Sequence, residues 1–250
     1  MQLHRIAVPK EILVEMPENE RNFFISVGHL LNELNVLNKI FYRCSRYPTS
    51  DRIVGKAQTT QALCMAKILA GKLAVGWEML RTFYFNTQLS REYSLLLSPE
   101  ASEAQRELGR YFGRSTNVVS AIRNRYAFHY DLKQFSEALA APSEEDGWEK
   151  FIGKKTGNSL YFFSELVIGH SLLRHINSVS QKAAMETLID DINLICELFI
   201  TFLTGCLIVI TERYLLNDDG LSIEPVNIED PPGLDDVRIP FFVSAPSERR

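Results

Sequence analysis

The sequence predicts an all-α protein: a bundle of about five long helices with a small β-hairpin insert and an irregular, acidic C-terminal arm. Three observations carry that expectation. Apolar residues recur at steps of three and four through most of the chain, five of its ten prolines lie beyond Asn217, and its 250 residues are 46% hydrophobic and 23% charged. That composition excludes disordered, collagenous and disulfide-scaffold classes. A chain of this length buries a sizeable core without metals or cross-links.

The first predicted helix covers about residues 19 to 44, where Phe23, Val27, Leu30, Leu34, Leu37 and Phe41 alternate steps of four and three while Asn32, Asn35 and Asn38 fall on the other side. Tyr47, Pro48, Thr49 and Ser50 break it. A second helix runs from about Val54 to Gln88 with Met65, Leu69, Leu73, Trp77, Leu80 and Tyr84 on one side, and Gly71 and Gly76 allow close contact or a kink. Ser98 and Pro99 supply an N-cap and first-turn proline for a helix to about Phe112, and Ser115 caps another carrying Val118, Val119, Ile122 and Tyr126. After Tyr130 a polar loop, Pro142 to Gly147, leads into Trp148–Ile152 and Asn158–Phe163, which flank Lys154 to Gly157 like a hairpin over 146–164. Leu188, Ile192, Ile195, Phe199, Phe202, Cys206 and Ile210 mark the last helix, apolar on almost every side and so expected in the core. This divides the chain into a helical domain, 1–216, and an acidic, proline-rich tail, 217–250. The start, including His4, is expected to be irregular. No repeat of fixed period appears.

Cys44, Cys64, Cys196 and Cys206 stand far apart among apolar neighbours, the pattern of buried thiols in a reducing cytoplasm. Met1 to Glu20 carries four acids and no continuous apolar run, so no signal peptide is expected. Leu194 to Ile210 is interrupted by Glu197, Thr201, Thr204 and Gly205 and falls short of the ~20 apolar residues a span needs, so no membrane insertion is expected. The formal charge of −4 is uneven: eight acids and three arginines lie in 217–250, which leaves the body near neutral. Such an arm suits a cover over basic groups elsewhere in the chain.

Common catalytic signatures are absent. There is no G-x-S-x-G, H-E-x-x-H or E-x-x-H; Gly147, Gly153 and Lys154 do not make a phosphate loop, because the spacing is wrong and Lys155 stands where a hydroxyl must be. His170 and His175 diverge by ~140° on a continuous helix and cannot share a metal ion. They are expected as a surface pair or as partners of local carbonyls. No metal or other cofactor is expected.

One segment carries chemistry: Ile122, Arg123, Asn124, Arg125, Tyr126, Ala127, Phe128, His129, Tyr130, Asp131. An Arg-Asn pair precedes a histidine at a helix end, with five residues between Arg123 and His129. This resembles the signature of HEPN-superfamily domains, and the long helices around it resemble that family's bundle. The resemblance implies a homodimer in which two motifs meet and, in many members, a metal-independent endoribonuclease found in toxin–antitoxin, abortive-infection and CRISPR systems. Arg123, Asn124 and His129 are then the catalytic residues. Other members are non-catalytic interaction modules, and this chain departs from compact toxins in its length, insert and tail.

The residue types suit the reaction. Histidine titrates near neutrality and serves either proton role, and the arginine fork matches phosphate oxygens. On an ideal helix Arg123 and His129 stand ~120° apart and Arg125 and His129 ~40° apart. Either a two-fold dimer brings His129 of one chain to Arg123 of the other, or the helix ends before His129 and a loop re-aims it. Arg106, Arg110 and Arg114 recur every four residues and, with Arg125, form candidate phosphate-binding groups; the plainer alternative is that Glu103–Arg106 and Glu107–Arg110 are surface pairs. Tyr126, Phe128 and Tyr130 offer faces for RNA bases, although Tyr126 also fits the core stripe with Val119 and Ile122. A partner protein, or a small molecule held between the helices, are the alternatives to RNA.

Overall fold

The computed structural model describes the chain except residues 47–48, 128–131, 141–146, 178, 217–222 and 245–250. In order its elements are β1 (Gln2–Ile6), α1 (Lys10–Glu15), α2 (Glu18–Ser45), α3 (Arg52–Leu80), α4 (Leu89–Tyr93), α5 (Pro99–Gly113), α6 (Val118–Ile122), α7 (Leu132–Leu139), α8 (Phe162–Ile176), α9 (Gln181–Tyr214) and β2 (Ile223–Asn227). The protein is all-α, with one two-stranded sheet among the described residues. π-Helical turns, Arg81–Phe85 and Arg123–Ala127, extend α3 and α6.

Helix starts are built by side chains. Asp51 accepts from the main-chain N–H groups of Ile53 and Val54 at 2.8 and 3.0 Å before α3. Ser98 accepts from Ala101 at 3.2 Å, with Pro99 in the first turn of α5 as expected, and Ser180 accepts from Ala183 at 3.2 Å at the start of α9. Each satisfies a donor that the first helical turn leaves unpaired.

The chain forms two compact units, each drawn from three segments. The first comprises 1–36, 72–117 and 194–236. Its core is aromatic: Phe23 stacks on Tyr84 with centroids 5.3 Å apart, Tyr84 meets Phe202 edge-on at 5.3 Å, and Trp77 stacks on Phe112 at 4.7 Å. Small residues permit this approach, since a Cβ on Gly76 would stand 2.9 Å from Leu30 and one on Gly205 would stand 2.5 Å from Ala101. The sheet lies in this unit, β1 antiparallel to β2 with His4 opposite Pro225, and Arg5 donating to Glu224 at 2.8 Å. Thus His4 is in a strand rather than an irregular start, and part of the arm is regular.

The second unit comprises 37–71, 118–193 and 237–250. Phe41, Leu63, Leu69, Val119, Ile122, Leu172, Leu188 and Ile192 are among its buried side chains. Lys56 pairs with Glu149 and lies 4.5 Å from the centre of the Phe162 ring. Side chains tether the arm here: Arg43 donates to the Val237 carbonyl at 2.7 Å and Gln61 to that of Ile239 at 3.2 Å.

Other differences from expectation have local causes. The second helix stops at Leu80, because Asn86 N–H reaches back five residues to Arg81 and the winding loosens. The hairpin over 146–164 is short: Phe151 and Leu160 exchange two main-chain bonds at 2.8 Å, and Phe162 already begins α8. Cys44, Cys196 and Cys206 are buried, but Cys64 is exposed, one residue off the stripe of Leu63 and Ala66. Helix α9 is long and apolar enough to cross a membrane, with mean hydropathy 2.3 over its richest window, yet half of that window is buried within the protein. Leu194 and Ile208 remain about half exposed on it.

Candidate functional site

Val119 and Ile122 anchor α6 in the second unit, and immediately after them the winding opens into the π-helical turn Arg123–Ala127. π-Turns of this kind are frequent at functional sites. This one presents Arg123, Asn124 and Arg125 to solvent. Tyr126 pins it to α8, its hydroxyl lying 3.2 Å from the Ser171 carbonyl and 3.1 Å from the Ser171 hydroxyl. Tyr126 is accordingly a half-buried structural contact. The angles of an ideal α-helix do not apply across this turn.

Arg123 donates to the side-chain carbonyl of Asn124 at 2.9 Å, which orients its guanidinium. Arg125 points instead toward α8, with Nη1 3.3 Å from Nδ1 of His175. A guanidinium has donors only, so Nδ1 must accept and the ring proton must sit on Nε2. His175 is therefore neutral in this arrangement. Partial withdrawal from water, then the charge of Arg125, hold it below the usual histidine range.

Arg125 opens onto a cleft of about 450 Å³ lined by Tyr126, Glu137 and Ala138 of α7, and His170, Ser171, Arg174 and His175 of α8. The two histidines line this one cleft, each with its own side-chain partner: Gln181 Nε2 lies 2.7 and 2.8 Å from the ring nitrogens of His170. Among the described residues, two arginines and two histidines face one carboxylate across it. This arrangement can grip an anion and hold or release a proton beside it.

His129 and Tyr130 lie outside the described residues. Arg106 and Arg110, expected as phosphate-binding groups, pair with Glu103 and Glu107 as in the plainer alternative, and the contact with Arg106 holds the Glu103 carboxyl below its usual range. Arg114, at the end of α5, lies 5.9 Å from the centre of the Tyr111 ring. These three arginines belong to the first unit and the π-helical turn to the second. Glu137, His170, Ser171, Arg174 and His175 were not singled out as a site from the sequence. Their signal is spacing: His170 with Arg174, and Ser171 with His175, are each four apart on one helix.

Among the described residues no group of three or more His, Cys, Asp or Glu side chains is placed to hold a metal ion. Burial pushes the Cys196 thiol up to about 12 and raises those of Cys44 and Cys206, so none of the three is a thiolate at neutral pH. The second unit also has an apolar cavity of about 310 Å³ where Cys44, Val54 and Ala57 face Ile239, Phe241 and Phe242 of the arm. Comparison with protein families, curated proteins and solved structures finds no match to this chain.

Proposed function

We propose that the protein is a metal-independent endoribonuclease of the HEPN type that acts as a homodimer, in a toxin–antitoxin or phage-defence setting. The observation that carries the proposal is the exposed π-helical turn bearing Arg123, Asn124 and Arg125, in which Asn124 orients one guanidinium and the other opens onto a polar cleft. In this mechanism the RNA 2′-oxygen attacks the adjacent phosphorus, the bond to the 5′-oxygen breaks, and a 2′,3′-cyclic phosphate forms. His129 serves one of the two proton transfers: it takes the 2′-hydroxyl proton while water protonates the leaving 5′-oxygen, or it protonates the leaving oxygen while water takes the 2′-hydroxyl proton. Arg123 of the facing chain neutralises charge on the phosphorane, and Asn124 holds that guanidinium in place.

The test is cleavage of single-stranded RNA by the purified chain in the presence of a chelator. The proposal expects products ending in cyclic phosphate, with activity lost in His129→Ala and Arg123→Ala while their melting temperatures stay near that of the unaltered protein. Absence of cleavage across pH 5 to 9, or unchanged cleavage by either variant, contradicts it.

A non-catalytic interaction module is the second reading, and the sheet of the first unit favours it. Every residue of β1 and β2 is exposed, including Leu3, Ile6, Ile223 and Val226. A stable complex that survives His129→Ala, without RNA cleavage, is its signature.

A further inference from the structure

We infer that the cleft between the π-helical turn, α7 and α8 is a proton-linked phosphate site, in which Arg125, Arg174 and His175 hold the anion and His175 takes up a proton as the anion binds. Nη1 of Arg125 lies 3.3 Å from Nδ1 of His175. Because the guanidinium donates, the imidazole must offer a lone pair there. Protonating His175 with the cleft empty would set one N–H against another and place two positive charges side by side. Its affinity for a proton is lowered accordingly, by desolvation and then by Arg125.

An anion reverses every part of this. Phosphate oxygens accept from the fork of Arg125 and from Arg174, which leaves Nδ1 of His175 without a donor and brings negative charge to the ring. Both changes favour the imidazolium, whose Nδ1–H then has an acceptor in the anion.

Among the described residues the other groups facing His175 are Arg125 and the phenol of Tyr126 from the π-helical turn, Glu137 from α7, and His170, Ser171 and Arg174 from α8. Glu137 is the one carboxylate lining the cleft among the described residues, and it opposes a bare anion while accepting well from a hydroxyl. A phosphate carried on a ribose satisfies both, and about 450 Å³ accommodates a sugar with its phosphate. Assigning that ribose phosphate to an RNA strand rests on the ribonuclease reading. The anion site and its proton do not.

The experiment is calorimetric titration of the full chain with sulfate, whose charge stays constant over the range used, in buffers of different ionisation enthalpy. Binding should tighten about tenfold from pH 8 to pH 5.5, with net proton uptake near neutral pH, since each unit by which the anion raises the His175 pKa is a factor of about ten. His175→Asn keeps an acceptor for Arg125 but does not titrate, and should bind weakly with no pH dependence. Arg125→Gln should lose affinity at every pH. Affinity independent of pH in the unaltered protein, or full pH dependence in a folded His175→Asn variant, overturns the proposal. Competition by oligonucleotides with and without a 5′-phosphate then separates a terminal monoester from an internal diester. Proton-linked sulfate binding without RNA cleavage removes the ribonuclease reading and leaves the site; cleavage without such binding does the opposite.

Discussion

Tyr93 donates its phenolic hydrogen to Oε2 of Glu20 at 2.5 Å. Glu20 is the buried charged residue among the described core, and Tyr214 and Arg213 also face it, Arg213 from 3.6 Å. A carboxylate withdrawn from water needs donors on every side, and this one joins the start of α2 to α4 and the end of α9. Glu20→Ala leaves two phenols without their shared acceptor, while Arg213 keeps Glu92 at 3.1 Å, and should cost about 2–4 kcal/mol in urea unfolding. Tyr93→Phe removes one of the donors and should cost about 1 kcal/mol. Equal stability of Glu20→Ala and the unaltered protein would show that water replaces the carboxylate.

The same packing sets an alkaline limit. Burial, followed by the hydrogen bond to Glu20, raises the ionisation of Tyr93 and pushes Tyr214 up to about 12; burial raises Tyr84 as well. The folded chain therefore keeps these protons more tightly than the unfolded chain does. That stability is fully present below the ordinary tyrosine value of about 10 and declines as pH rises from there toward 12. The urea midpoint should be insensitive to tyrosine ionisation below pH 10 and drop above it, and Tyr93→Phe should flatten the drop.

Three glycines separate backbone propensity from close packing. A Cβ at Gly205 would stand 2.5 Å from that of Ala101, which is fixed to its backbone, whereas at Gly76 the nearest atom, 2.9 Å away, is a methyl end of Leu30 that can turn. Gly109 has nothing within 4 Å. Gly205→Ala should therefore destabilise by about 1–3 kcal/mol, Gly76→Ala by less, and Gly109→Ala should stabilise α5 by about 0.5–1 kcal/mol. Thermal melts of the three variants give the order directly.

The long helices were legible because their burial is local and periodic: Phe23, Val27, Leu30, Leu34 and Phe41 are all buried on α2. Helix α8 was not. Its aromatic start, Tyr161 to Phe163, reads as a strand, and Leu172 and Leu173 share the helix with polar groups that turn toward a cleft. Strand β1 was missed because its partner lies more than two hundred residues away. The cleft joins residue 125 to residues 137 and 170–175, so it exists only after tertiary folding. The Arg123 and Asn124 motif was visible as letters, while the π-winding that presents it depends on the hydrogen bonding of the folded chain.

The proposed two-chain ribonuclease site has its most direct test in complementation. Arg123→Ala chains retain His129, and His129→Ala chains retain Arg123. If each site draws one residue from each protomer, dissociating and mixing two inactive homodimers should restore about a quarter of the cleavage activity, because half of the random dimers carry one intact site of two. Mixtures as inactive as either parent, under conditions where exchange of chains is verified, would contradict a shared site.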